Sequence, residues 1–362
     1  LSVVLHQCPT STRCNYREWG RYLLGGPMMM LLSDGMFPDY PCTYAPIPAM
    51  HAWREHMLSA DIIQCIDYYT FGANVCRIGH PRVVCYLNEN VPFNPQYMGH
   101  ALANKHVLQG HAARLVAVST SVQDALLVEG VDSRKVIVCP FWVTPAIYVP
   151  TFPPTDEETR RHVRRALHLS ESQPVVLYVG RLSTVKGLSD LGRAVEGLPL
   201  TWVLVGARQD YTPPAWAEYR EHVTSPEHLR DYYMAADVLV LPSVSTPTWI
   251  EQFGRVLVEA QACGCPVIAT DLGGPRDIVR HNKTGFLVPP GSVASLRGAI
   301  LRIVEDKGLR DQFRENARRW YLKAFETAKI EQRLQTIFAD VMIEKSPETG
   351  REGTILEEVR GG

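Results

Sequence analysis

A chain of 362 residues with 46% hydrophobic and 21% charged residues can bury a real core, which excludes a disordered tail. At roughly 100–200 residues per domain, the length predicts two domains. The 37 Lys and Arg against 38 Asp and Glu give a net charge of −1 with both signs interspersed, so no nucleic-acid partner is expected, and the apolar runs fall far short of the roughly 20 residues of a membrane-spanning helix.

In chain order, the first half holds short β-rich runs at 2–5, 61–65, 81–87, 114–118 and 135–139, which together predict an open α/β sheet. Four prolines at 145, 150, 153 and 154 lie in the stretch 144–156, where they remove backbone donors and disfavour helix. The domain boundary is placed there: residues 1–145 form a first Rossmann-like domain and 146–345 a second one. Residues 156–167 predict an acid-started, Arg-rich helix. Strands at 174–179, 201–205, 238–241 and 266–270 then alternate with helices at 188–196, 226–235 and 254–262. That alternation predicts β-α-β units and a parallel sheet covered on both faces. Long amphipathic helices fill 309–342, and the polar, Gly-rich 346–362 read as a flexible tail. Two such α/β domains create a cleft at the carboxyl ends of their strands, where ligands bind.

The nine cysteines are odd in number, scattered and without a Cys-x-x-Cys pair. That usage fits small buried residues in a reducing cytosol rather than a disulfide framework or zinc site. His6, His80, His100, His106 and His111 match no ligand spacing, so no metal is expected. The chain begins with Leu1 and shows no charged segment followed by an apolar one, so no secretory signal is expected and the location is read as cytoplasmic.

Three segments carry chemistry. Gly180-Arg-Leu-Ser-Thr-Val-Lys-Gly187 follows the first strand of the second domain, placing the cations of Arg181 and Lys186 at a strand end, where they suit a pyrophosphate; two solvated loop cations are the plainer reading. In 242–259, Glu251 precedes Gly254 at the start of an apolar helical stretch, with Glu259 eight residues on. Were that interval mostly helical, the carboxylates would lie about 12 Å apart or less, with the helix start at Phe253, Gly254 and Arg255 offering N–H groups to a phosphate between them. A solvated pair of acids is again the alternative. Gly273 and Gly274 open a third loop, either for close approach of a ligand or as a tight turn.

Taken in order, these segments make the chain resemble the retaining glycosyltransferases of family 4, from about Val175 to Ala324. The motifs are Gly-Arg-x4-Lys-Gly at 180–187, Glu-x7-Glu at 251–259, Glu259-Ala-x-Ala-Cys-Gly-x-Pro-Val through Val267, and Gly285-Phe-Leu-Val-Pro. The resemblance implies the GT-B architecture, two Rossmann-like domains with a cleft between them, and transfer of a sugar from a UDP- or GDP-linked donor to a carbohydrate, lipid-linked or small-molecule acceptor. It gives Arg181 and Lys186, beside Gly180, the donor pyrophosphate; Glu251 the transferred sugar's hydroxyls; and Glu259 the ribose. The backbone at Phe253, Gly254 and Arg255 would cap the phosphate or sugar, and the loop around Thr224 would face the base. No metal or other cofactor is implied, because the two cations neutralise the leaving group. A nucleotide-sugar epimerase and a degenerate sugar-binding subunit are the competing readings; an NAD-dependent oxidoreductase lacks its Gly-x-Gly-x-x-Gly fingerprint.

The first domain departs from the family pattern. His6-Gln-Cys-Pro-Thr-Ser-Thr-Arg13 stands where a Gly-Gly loop is usual, and Asn88-Glu-Asn-Val-Pro-Phe93 where a His is common. Asn88 and Glu89 are the candidate contacts to sugar or acceptor there, with a solvated loop acid as the plainer reading. Phe141-Trp-Val-Thr144 replaces the usual junction motif. Arg13, Arg17 and Arg21, near Trp19 and Tyr22, suit either a basic interfacial helix at the inner membrane surface or a solvated helix face.

Overall fold

The computed structural model describes residues 3–7, 58, 60–66, 69–77, 79–88, 91–221, 223 and 225–344. The chain begins β1 (Val3–Gln7), β2 (Ile62–Ile66), α1 (Tyr69–Arg77), β3 (Val83–Leu87), α2 (His100–His111), β4 (Arg114–Ala117), α3 (Thr120–Val128) and β5 (Val136–Val138). These strands form one sheet in the order β1-β2-β3-β4-β5, with β1 parallel to β2 and Val3 opposite Ile62. All five residues of β3 are buried, as expected of a strand covered on both faces.

The chain continues with α4 (Pro145–Tyr148), α5 (Glu157–Ala166), β6 (Val175–Val179), α6 (Leu188–Val195), β7 (Thr201–Val205), β8 (Glu218–Arg220), α7 (Pro226–Ala235) and β9 (Val238–Leu241). It ends with α8 (Arg255–Ala262), β10 (Val267–Thr270), α9 (Pro275–Ile278), β11 (Gly285–Val288), α10 (Val293–Glu305), α11 (Lys307–Ala324) and α12 (Thr327–Ile343). The second sheet has the order β11-β10-β9-β6-β7-β8, and its pairings are parallel, with Val176 opposite both Trp202 and Val238. The strand order therefore runs outward from β6 through β7 to β8, then restarts on the other side of β6 with β9. That reversal is a topological switch point, and open α/β sheets bind ligands outside the carboxyl ends of the strands there.

Contacts group the described residues of 1–85, 103–115 and 335–362 into one compact unit and those of 86–102 and 116–334 into another. The larger unit is anchored beneath its second sheet by Asp237, just before β9 and 3% exposed. Its carboxylate accepts from Arg160 at 2.8 Å and Arg164 at 2.6 Å, one turn apart on α5, and from the Val175 N–H at 2.7 Å at the start of β6. Arg314 from α11 approaches to 3.7 Å. The Arg-rich α5 thus turns two of its cations inward, and its acidic start is a cap: Asp156 accepts from the N–H groups of Glu158 and Thr159.

The structure departs from sequence expectation in four places. The proline-rich 144–156 contains one turn of helix, α4, with Pro145 at its first position, where a missing N–H costs nothing. Residues 285–288, to which the sequence reading assigns no strand, form edge strand β11. Strand β8 is only three residues long and half-exposed, so it carries little hydrophobic pattern. Helix α8 starts at Arg255, so half of the interval from Glu251 to Glu259 is loop rather than helix.

Candidate functional site

The site is built by two loops that leave neighbouring strands at the switch point. After β6, Gly180 (φ 144°) turns the chain, Leu182 N–H bonds the Ala207 carbonyl at 2.8 Å, and a 3-10 turn over Thr184–Lys186 ends at Gly187 in the left-handed region, φ 68°. A Cβ on Gly187 would lie 1.9 Å from the carbonyl oxygen of Pro242, the residue that follows β9. Only glycine allows the two loops to meet this closely. The approach delivers Lys186 Nζ to Glu251 Oε2 at 2.6 Å, and Ser243 donates to the same oxygen at 2.7 Å. The ammonium also sits 4.6 Å from the centroid of the Trp249 ring. With side-chain exposures of 13% and 10%, Lys186 and Glu251 form a shielded, charge-assisted pair rather than the screened surface contact that contributes little.

The Glu251 backbone is equally constrained. Its carbonyl accepts from Gly274 N–H at 2.9 Å, and a Cβ on Gly273 (φ 55°) would lie 2.1 Å from that oxygen. The glycine pair after β10 therefore serves a close approach by the chain's own loop, a third reading beside the ligand and the bare turn. Tyr178 donates its hydroxyl to the Arg181 carbonyl at 2.7 Å. Burial first, and then the nearby Glu251 charge, push that hydroxyl's pKa up, so it stays protonated. Arg181 itself is exposed, follows β6 as expected, and donates to the Gln209 side-chain carbonyl at 3.1 Å.

Glu259 sits one turn into α8, buried, where Tyr233 donates its hydroxyl to Oε2 at 2.7 Å and Arg255 Nε approaches Oε1 at 3.0 Å. Burial raises its carboxyl above the ordinary range, opposed by the Arg255 charge and by the bond from Tyr233. Gly254 (φ 90°) precedes α8 without a side-chain cap. Phe253 is core: its ring meets those of Phe141 and Phe325 edge-on at 5.7 and 6.3 Å, so only its backbone can face a ligand. Arg255 is exposed on the first turn, and its side chain covers Glu259.

Asn88 follows β3 and is half-buried. Glu89 and Thr224 lie outside the described residues, as do residues 13–22. His80 is structural: its ring bonds the Ala60 carbonyl at 3.0 Å and accepts from Arg82 N–H at 3.2 Å, and burial lowers its pKa. Among the described residues, no three His, Cys, Asp or Glu side chains group to hold a metal ion, and no helix is long and apolar enough to cross a membrane. Sequence reasoning missed Ser243, Trp249, Tyr178 and Tyr233. Ser243 was findable as a hydroxyl two residues beyond a buried strand; the tyrosines read simply as core.

The chain is similar to known proteins over much of its length. Residues 159–320 match the family model of glycosyl transferases group 1. The D-inositol 3-phosphate glycosyltransferase of Xylanimonas cellulosilytica is 31% identical over 242 residues, 62% of this chain and 56% of that protein. The enzyme of that name from Corynebacterium urealyticum is 29% identical over 299 residues, 73% of this chain and 68% of that protein. Against the first of these the chain thus spans little more than half the relative's length. Among solved structures, Anabaena Alr3699/HepE in complex with UDP-glucose superposes with a TM-score of 0.74 at 20% identity, covering 94% of this chain and 99% of that one. Sucrose-phosphate synthase from Thermosynechococcus elongatus gives 0.72 at 21%, covering 94% and 98%. On its two parallel sheets and on these structural matches, the chain has the GT-B fold, and its residues 159–320 match the family model of glycosyl transferases group 1.

Proposed function

We propose that this chain is a retaining glycosyltransferase that moves a sugar from a UDP- or GDP-linked donor to a glycan, lipid or small-molecule acceptor. The observation that carries the reading is the shielded Lys186–Glu251 pair at the switch point of the second sheet. A paired ammonium and carboxylate suit a donor whose diphosphate needs a cation and whose sugar hydroxyls need an acceptor of hydrogen bonds. The match to glycosyl transferases group 1 spans both residues. The UDP-glucose bound by HepE makes uridine the first base to try.

In this reading Arg181 and Lys186 meet the diphosphate. An ammonium has three N–H donors, so Lys186 can hold Glu251 and phosphate oxygens together. Glu251 receives sugar hydroxyls, Glu259 the ribose hydroxyls, and the backbone of Phe253, Gly254 and Arg255 the distal phosphate, next to the positive end of α8. The anomeric carbon–phosphate oxygen bond breaks as the acceptor oxygen bonds the same carbon on the same face. The acceptor's proton passes to the departing phosphate oxygen, so configuration is retained without a protein base. Catalysis then rests on positioning and on charge stabilisation of the leaving group, and the two side-chain cations take the part a divalent ion plays elsewhere.

The test is nucleotide release from a panel of UDP- and GDP-sugars, with EDTA present, by the wild type and by Lys186→Ala and Glu251→Ala. Each substitution is expected to lower turnover by about 100-fold or more, as removal of a transition-state stabiliser does. Wild-type turnover in both folded variants would contradict the assignment.

A further inference from the structure

Segment 248–252 carries Trp249 and Glu251, and three of its backbone carbonyls are gripped from three directions. Asn94 Nδ2 donates to the Thr248 carbonyl at 3.1 Å, Gly274 N–H to the Glu251 carbonyl at 2.9 Å, and Ser119 Oγ to the Gln252 carbonyl at 2.7 Å. The donors come from the loops after β3, β10 and β4. None of the three touches the Glu251 carboxylate; together they fix the backbone from which it projects.

Asn94 and Ser119 are themselves held in one orientation. Asn94 is 5% exposed and its Oδ1 accepts from Gln96 N–H at 3.0 Å. Ser119 is fully buried and caps α3, its hydroxyl oxygen accepting from Val122 N–H at 3.3 Å. The next residue, Thr120, donates both its N–H and its hydroxyl to the Asp277 carboxylate, each at 2.6 Å, which ties the start of α3 to α9. A hydroxyl or amide with both its donor and its acceptor roles filled cannot swing away without stranding a buried partner. The grip on segment 248–252 is therefore stiff.

We infer that Asn94 and Ser119 are positioning residues for Glu251: they act through the backbone of segment 248–252 to hold its carboxylate where the sugar is met. The inference rests on the proposed role of Glu251 in transfer. Misplacement of a reacting group by about 1 Å can cost about 100-fold in rate, so the effect belongs in turnover rather than in donor binding.

The experiment compares wild type, Asn94→Asp, Ser119→Ala, Ser119→Thr and a control, Glu129→Gln. Asn94→Asp keeps the acceptor for Gln96 and replaces the donor by an oxygen facing a carbonyl. Ser119→Thr keeps the hydroxyl. Glu129 accepts from Phe93 N–H at 2.8 Å in the same loop as Asn94, so its replacement by Gln turns that charge-assisted bond into a weaker neutral one without removing a grip on segment 248–252. Two readouts are taken: kcat and KM for hydrolysis of UDP-glucose and GDP-glucose, and hydrogen exchange at the Trp249 and Gly274 amides, which bond the Thr246 and Glu251 carbonyls. Asn94→Asp and Ser119→Ala are expected to lower kcat by about 10- to 100-fold with KM within about twofold, and to speed exchange at these two amides at least tenfold while α8 exchanges as in wild type. Ser119→Thr restores both readouts, and the control changes neither. Wild-type kcat and exchange in folded Asn94→Asp and Ser119→Ala would overturn the inference. Full activity in Glu251→Ala, by contrast, would overturn the reading of the site, while the exchange result still decides whether the two residues hold the segment.

Discussion

Glu259 is a carboxylate placed where folding alone would not put one. Its pKa is raised by burial, so between the unfolded value of about 4.3 and its folded value the native state binds more protons than the unfolded one. Stability from this group is thus present at low pH and lost as pH rises through that window. Glu259→Gln, which keeps an acceptor for Tyr233, is therefore expected to raise the melting temperature at pH 7 while weakening binding of nucleoside diphosphates about tenfold or more, the trade expected when a strained group serves a ligand. Calorimetry and equilibrium binding on one sample check both halves; a destabilised variant with full affinity would refute the assignment. Gly187 makes a second case, since its left-handed backbone and its contact with Pro242 leave no room for a Cβ. Gly187→Ala should separate the two loops and lower turnover by about 100-fold, with the loss visible as lost donor-induced stabilisation. A fully active Gly187→Ala would mean that the loops need not meet.

Among the elements, α5 shows how a strongly charged helix becomes core. Arg160 and Arg164 lie one turn apart, so both guanidinium groups reach Asp237, and α11 adds Arg314, whose pKa is lowered to about 10 by burial. Asp237 is buried, which alone would raise its carboxyl, but the surrounding arginines hold it well below the ordinary carboxylate range. Its contribution to stability is therefore complete above the unfolded value of about 3.9 and is lost as pH falls below it. Asp237→Ala strands buried cations and is expected to cost about 3–5 kcal/mol at pH 7, measured by urea unfolding. The gap to wild type should narrow below about pH 4, and a gap independent of pH would show that the carboxylate's charge is not what binds the helices.

At the scale of the molecule, the second sheet was the more legible because its strands are fully buried apolar runs, such as Val175–Val179, punctuated by Gly180 and Gly187, and each such run declares itself without its partners. The order of those strands was not legible: that β6 neighbours β9 is a long-range fact, and it is this adjacency that turns Lys186 and Glu251, 65 residues apart, into a pair. Ser243, Asn94 and Ser119 escaped for the same reason, since a hydroxyl or amide acquires a role only when the chain brings a partner to it. The spacing of Glu251 and Glu259 is visible in the sequence, but the condition that most of the interval be helical is not met, because the helix starts only after Gly254.

In the proposed function, the switch point of the second sheet holds a nucleotide sugar between Lys186, Glu251 and Glu259. Thermal unfolding with UDP, GDP and their glucose conjugates, in EDTA, for wild type and Lys186→Ala, tests it most directly. A ligand at about 100 times its Kd adds about 2.7 kcal/mol, so a clear rise in melting temperature is expected for wild type with one of the two bases and a much smaller rise for Lys186→Ala. Equal shifts in the two proteins, or no shift in folded wild type with any of the four ligands, would contradict it.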